Sequence, residues 1–531
     1  MEEISRETQS SNTEIEKRKS KISKFFFGWV KDNYDKIFIA VLILAFAIRL
    51  WIFFKTMDQP FWWDEADYLA AAKKWAGINP YLEDIWYYRR GFLWPLIGSL
   101  FFRIRLGEIG MRFLEVLFST GLVVVSYFLI SNMFNKKLAL FSSIALSFSW
   151  VILFFTGRVL TDIPAAFFAL LALLFFWKGY VLKEGNKFLY LFALSFALAI
   201  LTRMQSFMLA PPFLIYILIK EKTKIFKNKQ LWITLGIFLL LLIPQFVLYA
   251  LHYGNPLTDI ASHYLGIGSG SNPVIEGNQR TISFSIFNYL IDLPYILSVP
   301  FFILLIVGAI SFFSDLFLGL DKLFKNEEIQ KKFFVLMWIL SLFLIMGYIG
   351  SVSYVEQRYM TAALPFLFLI AIYFPVLNIH KLFKKKGELI LGIFLLALLI
   401  FPLGNIQSNY STTSFLIENK IDSYSEIKEA GVWIKEHSNL SDTVITPSRP
   451  QTVYYSERST QSGDIHIFEN VSFFEKEVER INPRYLVLSI SEPAPEWIYS
   501  YPEQNQDKLT PVKVYSQNQQ PTTIIYEFKK D

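Results

Sequence analysis

Three short stretches of this sequence set acids and arginines at the edges of apolar segments. They are Phe61-Trp62-Trp63-Asp64-Glu65-Ala66-Asp67-Tyr68, Gly157-Arg158-Val159-Leu160-Thr161-Asp162-Ile163-Pro164, and Glu356-Gln357-Arg358-Tyr359 with Leu364-Pro365 behind it. A carboxylate beside aromatic rings at a membrane surface is poorly hydrated, and desolvation lifts its pKa toward that of a useful general base. Asp64 and Glu65 fit that description. The bland reading is a solvated loop whose tryptophans anchor at the headgroups, and residue type does not choose between the two. Arg158 and Asp162 are either a structural ion pair or a working pair, because charges near hydrocarbon are seldom left alone. Arg203, at the junction of two apolar runs, is a snorkelling helix cap or a site residue. Arg358 offers a fixed fork of donors suited to phosphate and Tyr359 can donate to the same oxygens, the alternative being a loop–helix cap. His252 and His263 fall in a loop and decide little. We find no Ser-His-Asp arrangement, and Gly266-Ile267-Gly268-Ser269-Gly270 has no strand before it to make a phosphate loop.

The elements that must position these residues are helices in a bilayer. The 531 residues are 53% hydrophobic, 18% aromatic and 18% charged, with a mean hydropathy of +0.37, more apolar and less charged than a soluble domain. Apolar runs of bilayer length at 37–54, 111–134, 138–155, 162–179, 188–202, 204–219, 231–250, 295–318, 333–350, 359–378 and 388–404 predict about eleven spanning helices. The first run is too long for a cleaved signal peptide and follows Lys17, Arg18, Lys19, Lys21 and Lys24. Alternate loops carry lysines: Lys136 and Lys137, Lys183 and Lys187, then 220–229, 322–332 and 381–386. The positive-inside rule therefore places these loops and residues 1–36 in the cytoplasm. Loops 55–110 and 251–282, with the short ones at 156–161, Arg203 and 351–358, then face outside, and they hold nearly all the isolated arginines and acids. Residues 91–104 are apolar but short, edged by Arg89, Arg90, Arg103 and Arg105, and predict an interfacial helix. The net charge of +6 is accounted for by the lysine loops, which excludes nucleic acid as a partner and leaves the lipid bilayer. The chain has no cysteine, so disulfides and thiolate chemistry are absent and any metal would need Asp, Glu or His.

Past Phe401 the composition turns polar, and residues 405–531 read as a small extracytoplasmic α/β domain. Ser423 and Glu426 have capping-box spacing ahead of Ile427, Ala430 and Ile434, while 443–446, 485–490 and 522–528 are β-rich. N-x-S/T acceptor patterns occur at Asn409, Asn439 and Asn470, at a frequency that chance also produces. The expected fold is thus a polytopic α-helical membrane region over 37–404 with this domain after it.

In their order along the chain the motifs resemble the GT-C superfamily of membrane glycosyltransferases, in particular the branch with protein O-mannosyltransferases and lipid A aminoarabinose transferases. The resemblance rests on Asp64-Glu65, on Arg158 to Pro164, and on Arg358-Tyr359 followed by Pro365. Tyr88-Arg89-Arg90-Gly91-Phe92-Leu93 is similar in part to the family's basic-Pro-Pro-Leu segment, with Gly91 and Phe92 in place of the prolines. Trp62-Trp63-Asp64 is similar to a motif of oligosaccharyltransferases, but there it belongs to the soluble C-terminal domain, which favours a monosaccharide-type transferase. The resemblance implies transfer of a sugar, with inversion, from a polyprenyl-phosphate donor to a hydroxyl of a protein, glycan or lipid acceptor at the outer face. Under it Asp64 is the base, Glu65 and Asp162 are positioning or metal-binding acids, and Arg158 orients Asp162. Arg89, Arg90, Arg203, Arg358 and Tyr359 contact phosphate. A divalent metal on Asp162 or His263 stays open, since Arg89 stands where the aminoarabinose branch has an acid. The alternative is a transporter or flippase of lipid-linked glycans, which moves its substrate without changing a bond.

Overall fold

The computed structural model describes residues 30, 32–82, 90–255, 287–323, 325–350, 355–460, 465–492, 494–517 and 519–529. Arg89, His263 and most of the 251–282 loop lie outside the described residues. The membrane part runs through α1 (Asn33–Thr56), α2 (Trp63–Ala76), α3 (Leu93–Arg103), α4 (Gly107–Met133), α5 (Lys136–Ser147), α6 (Trp150–Thr156), α7 (Asp162–Phe176) and α8 (Asn186–Thr202). It continues with α9 (Ala210–Glu221), α10 (Lys229–Tyr253), α11 (Phe287–Leu297), α12 (Val299–Leu318), α13 (Glu327–Gly350), α14 (Leu364–Phe383) and α15 (Gly387–Ile400).

Among the described residues six helices are long and apolar enough to cross a membrane: Asn33–Thr56, Gly107–Met133, Asp162–Val181, Lys229–Leu251, Val299–Leu318 and Leu364–Phe383. The bent pair α5 and α6, with 53° between them, makes a seventh. At the expected spans 188–202, 204–219 and 388–404 the helices are shorter, namely α8, α9 after a 3-10 turn at Met204–Leu209, and α15. The count of eleven full-length spans therefore does not carry over. One physical reason is Arg203, whose extended backbone (φ −147°, ψ 112°) ends α8 and starts the tight turn. α3, with 11 residues, is about 16 Å long at 1.5 Å per residue, roughly half a hydrocarbon core. It packs on α2 and α4 with Trp94 buried and leaves Leu96 and Leu100 exposed, as an interfacial helix should.

The break between α5 and α6 exposes helix-end polar groups inside the bundle, where water cannot satisfy them. Two side chains do so instead. Arg49, fully buried on α1, donates to Ser147 O at 3.2 Å, Ala45 O at 3.0 Å and Ser119 Oγ at 2.7 Å. Asn409, the first residue of α16 (Asn409–Lys420), accepts from Trp150 N at 3.1 Å and donates to Leu297 O at 3.2 Å. This fully buried amide is not an acceptor for glycosylation in the folded chain, whatever its sequence pattern. At the other end of α1, Lys136 holds Asp32 and Asp35, and Lys137 pairs with Glu388 at 3.1 Å. The lysine loops 136–137 and 381–386 and the start of α1 thus share one end of the bundle.

The C-terminal part adds α17 (Ser425–His437), β1 (Thr443–Ile445), α18 (Arg449–Ser456), β2 (Ser459–Thr460), α19 (Val471–Ile481), β3 (Tyr485–Ser489), α20 (Glu496–Gln504), β4 (Leu509–Gln517) and β5 (Gln520–Phe528). The sheet order is β2-β1-β3-β5-β4, parallel from β2 to β3 and antiparallel from β3 to β4. Ser423 does not cap α17: the helix begins after Tyr424 in the left-handed region (φ 68°), and Glu426 accepts from Ser491 Oγ instead. This domain is fastened to α2. Phe61, Leu69, Tyr454 and Tyr455 share one apolar cluster, Lys73 reaches Glu457 and Tyr454 O at 2.8 Å each, and Tyr455 Oη accepts from Phe61 N at 2.8 Å.

Glu492, which accepts from Gln451 of α18 at 3.3 Å, is pushed up to about 7 by burial, only partly countered by that hydrogen bond. Its ordinary value is 4.5. Between the two pH values the folded chain keeps a proton that the unfolded chain has lost, so raising the pH through this window destabilises the fold. We expect the melting temperature of the detergent-solubilised protein to fall from pH 5 to pH 7.5, and Glu492→Gln to flatten that slope; an unchanged slope in the variant would refute the assignment.

Candidate active site

The first turn of α2 is built by Glu65, whose carboxylate accepts from Trp62 N at 2.8 Å, the N-terminal cap of the helix. Its other oxygen accepts from Val159 N at 2.7 Å, and Arg158 lies 3.4 Å away. Arg158 also donates to Pro60 O at 3.2 Å and Lys420 O at 3.1 Å, with its guanidinium 3.9 Å from the centre of the Trp62 ring. Glu65 and Arg158 are both almost wholly buried. They pin α2 to the 157–162 loop rather than face a substrate. The expectation that Arg158 orients Asp162 is therefore corrected: Arg158 pairs with Glu65, because the 158–161 turn points it back toward the first loop.

The remaining charges form a chain. Arg90 binds Asp64 at 2.9 Å through Nη2 and Asp67 at 3.0 Å through Nη1. The other oxygen of Asp64 takes Arg358 Nη2 at 3.0 Å. Arg358 Nη1 lies 3.8 Å from Asp162, whose second oxygen takes Arg203 Nη1 at 3.1 Å. Glu356 closes on Arg358 Nε at 3.3 Å. Thr161 Oγ1 accepts from Arg203 at 3.2 Å and stands 3.3 Å from Tyr68 Oη. Tyr359 lies under the Arg203 guanidinium, 4.7 Å from ring centre. Asp64, Arg90, Asp162, Arg203, Arg358 and Tyr359 are thus brought together from five places in the sequence. Glu65 and Arg158 form a separate brace beside them.

Asp67 was not singled out by the sequence, yet it lies three residues from Asp64 on one helix face, the spacing that lets both acids meet one guanidinium. The Asp64 side chain keeps 34% of its surface exposed. Burial works against its charge, but the guanidiniums of Arg90 and Arg358 outweigh burial and hold its carboxyl well below the usual carboxylate range. Glu356 goes the other way, since burial raises it and Arg358 only partly offsets that. Each oxygen of Asp162 faces a guanidinium, and among the described residues no three acids or histidines converge. Next to the charges, Ala165, Ala166, Ala169, Leu209, Leu342 and Met346 continue the cleft as an apolar wall below Asp162, Arg203, Arg358 and Tyr359.

Residues 90–248 match the family model described as dolichyl-phosphate-mannose-protein mannosyltransferase. Among solved structures, ArnT from Cupriavidus metallidurans bound to undecaprenyl phosphate superposes with a TM-score of 0.60 at 13% identity, over 94% of this chain and 98% of that one. Its apo state gives 0.60 at 14% identity over the same shares. The archaeal oligosaccharyltransferase AglB from Archaeoglobus fulgidus, in complex with an inhibitory peptide and a dolichol-phosphate, gives 0.57 at 13% identity, over 86% and 70%. No curated protein sequence matches the chain. The chain thus shares the fold of these proteins along nearly its whole length, and residues 90–248 match the mannosyltransferase family model.

Proposed function

We propose that this protein transfers a sugar, with inversion, from a polyprenyl-phosphate donor to an acceptor hydroxyl at the extracytoplasmic face. The observation that carries this reading is the carboxylate of Asp64 held between Arg90 and Arg358, the second of which also lines a small cleft with Ala165, Ala169, Leu209, Leu342 and Met346. A lipid-linked donor needs hydrocarbon walls for its chain and cations for its phosphate. The transferred bond needs a base on the acceptor. In the proposed step the acceptor hydroxyl gives its proton to Asp64 as its oxygen bonds to the anomeric carbon. The bond from that carbon to the phosphate oxygen breaks, and its electron pair leaves with the polyprenyl phosphate. Arg90, Arg203 and Arg358 neutralise the departing charge, for which fixed donors in a dry site are effective.

The relatives support the same donor class: one is solved with undecaprenyl phosphate and one with dolichol-phosphate. The lysine loops at the opposite end support this orientation. A transporter of lipid-linked glycans would show movement without bond change, so the deciding assay is release of free polyprenyl phosphate from labelled donors by the purified protein. Retention of every sugar on its carrier, together with passage across a liposome, would favour the transporter.

Asp64→Asn keeps size and removes basicity, and turnover should fall by about 10² or more in a variant that still elutes as folded protein; near-normal turnover would remove Asp64 as the base. Arg358→Lys should lose most activity and Arg358→Ala more, about 2.7–4 kcal/mol at the transition state, because an ammonium cannot bridge two phosphate oxygens. If Arg358 were only a helix cap, Arg358→Ala would lower the melting temperature and spare turnover per folded molecule. The chain has no cysteine, so single introduced thiols report topology cleanly. Asn439→Cys, on an exposed turn of the C-terminal domain, should react with an impermeant maleimide on intact cells, whereas Lys384→Cys should react only after permeabilisation; the reverse pattern would overturn the orientation.

A further inference from the structure

We infer that Gln245 and Gly91 are positioning residues which together set where Arg90 stands relative to Arg203. No motif pointed to Gln245. It lies in α10 beside Pro244 and is 1% exposed. A side-chain amide in the apolar part of a spanning helix is costly unless its donor and acceptor are both used. Here both are used, and on the site's own backbone: Gln245 Nε2 donates to Arg90 O at 3.1 Å and Oε1 accepts from Phe92 N at 3.0 Å. The amide orientation follows from those partners, since a carbonyl needs a donor and an N–H an acceptor. Tyr249, one turn further along α10, points its hydroxyl at the same Arg90 carbonyl at 3.5 Å.

The two amide bonds flank Gly91, and the opposite side of Gly91 is equally constrained. A Cβ at this position would overlap the Leu201 carbonyl oxygen and stand 2.8 Å from the carbonyl carbon of Thr202. The 90–92 backbone is therefore pressed directly onto the end of α8 by an amide on α10, with no side chain between. Arg90 immediately precedes the contact on one strand, and Arg203 immediately follows it on the other. Any side chain at 91 pushes the two guanidiniums apart. Removing the Gln245 donor frees the Arg90 carbonyl to tilt.

This inference rests on the reading of Arg90 and Arg203 as contacts to the donor phosphate. The test uses the full-length protein in lipid nanodiscs, with polyprenyl phosphate itself as the binding probe and a labelled donor for kinetics. In Gln245→Met, which nearly keeps the volume and loses both amide bonds, and in Gly91→Ala, the Kd for polyprenyl phosphate and the KM for the donor should each rise about tenfold or more, the scale of a lost hydrogen bond to a charged group. Gly179→Ala, which would meet Leu189 N at 2.8 Å at the opposite end of the bundle, is the control for strain: it should lower the melting temperature while leaving Kd within about twofold. Should Gln245→Met melt lower yet bind polyprenyl phosphate as the parent does, the two residues are structural only and the inference fails, even if Gly91→Ala does not fold. Failure of the parent protein itself to bind polyprenyl phosphate or release it from a donor would instead overturn the proposed function.

Discussion

Everything at this end of the molecule depends on a row of alternating charges, Asp67, Arg90, Asp64, Arg358, Asp162 and Arg203, joined by ion pairs at the edge of a lipid-facing bundle. A guanidinium or carboxylate withdrawn from water loses several kcal/mol of hydration, and one neighbour of opposite charge seldom restores it in full. A chain in which each inner member touches two partners restores more. The six residues come from α2, the 90–92 segment, the start of α7, the end of α8 and the turn before α14. None of these can shift alone without stranding a charge.

Such a row needs rigid supports, and these are structural rather than chemical. Glu65 caps α2 and reaches across to Val159 N, so one buried carboxylate fixes the helix that bears Asp64 to the loop that leads into Asp162. Arg158 completes this brace and continues it to Lys420 O, the last residue of α16. On its other face α2 is gripped by α18 through Lys73, Tyr454 and Tyr455. The C-terminal domain is thereby part of the scaffold of the site and not a separate module on a tether. The buried, nearly solvent-free geometry of the Lys73–Glu457 pair gives that grip a direction as well as an area.

Much of this was legible in the sequence. Apolar runs of bilayer length marked the helices, and the arginines and acids stood out because hydrocarbon tolerates few charges, which is how Asp64, Arg90, Asp162, Arg203 and Arg358 could be found without coordinates. The pairing among them was not legible. Sequence proximity suggested Arg158 with Asp162, four residues apart, but the turn at 157–161 sends the two side chains to opposite partners. Asp67 was passed over because a motif draws the eye to Asp64 and Glu65, although helical spacing favoured Asp67. Gln245 carried no signal, since one amide in a spanning segment reads as incidental until its backbone partners are seen. Hydropathy placed the break at Arg203 between the runs 188–202 and 204–219, but it did not show that the second run opens with a 3-10 turn and leaves only a short helix.

The charge balance of the row bears on how the proposed reaction would be ordered. Among the described residues three guanidiniums face the four carboxylates of Asp64, Asp67, Asp162 and Glu356, so each of these cations already has an anionic partner when a phosphate enters. A donor must take guanidinium hydrogen bonds away from a carboxylate. Asp67 and Asp162 are the more deeply buried acids, and stripping them of partners would be costly, whereas Asp64 keeps a third of its side chain exposed and can exchange a guanidinium for water or for the acceptor hydroxyl. Asp64 is thus the member that gives way. Between Arg90 and Arg358 its carboxyl is held well below the usual carboxylate range, which weakens it as the proposed base. Once a phosphate draws those two cations, the charges that depressed its carboxyl are shared with another anion and its basicity rises. On this account the proposed base is held weak until the donor enters, so water that arrives first meets a carboxylate less able to activate it.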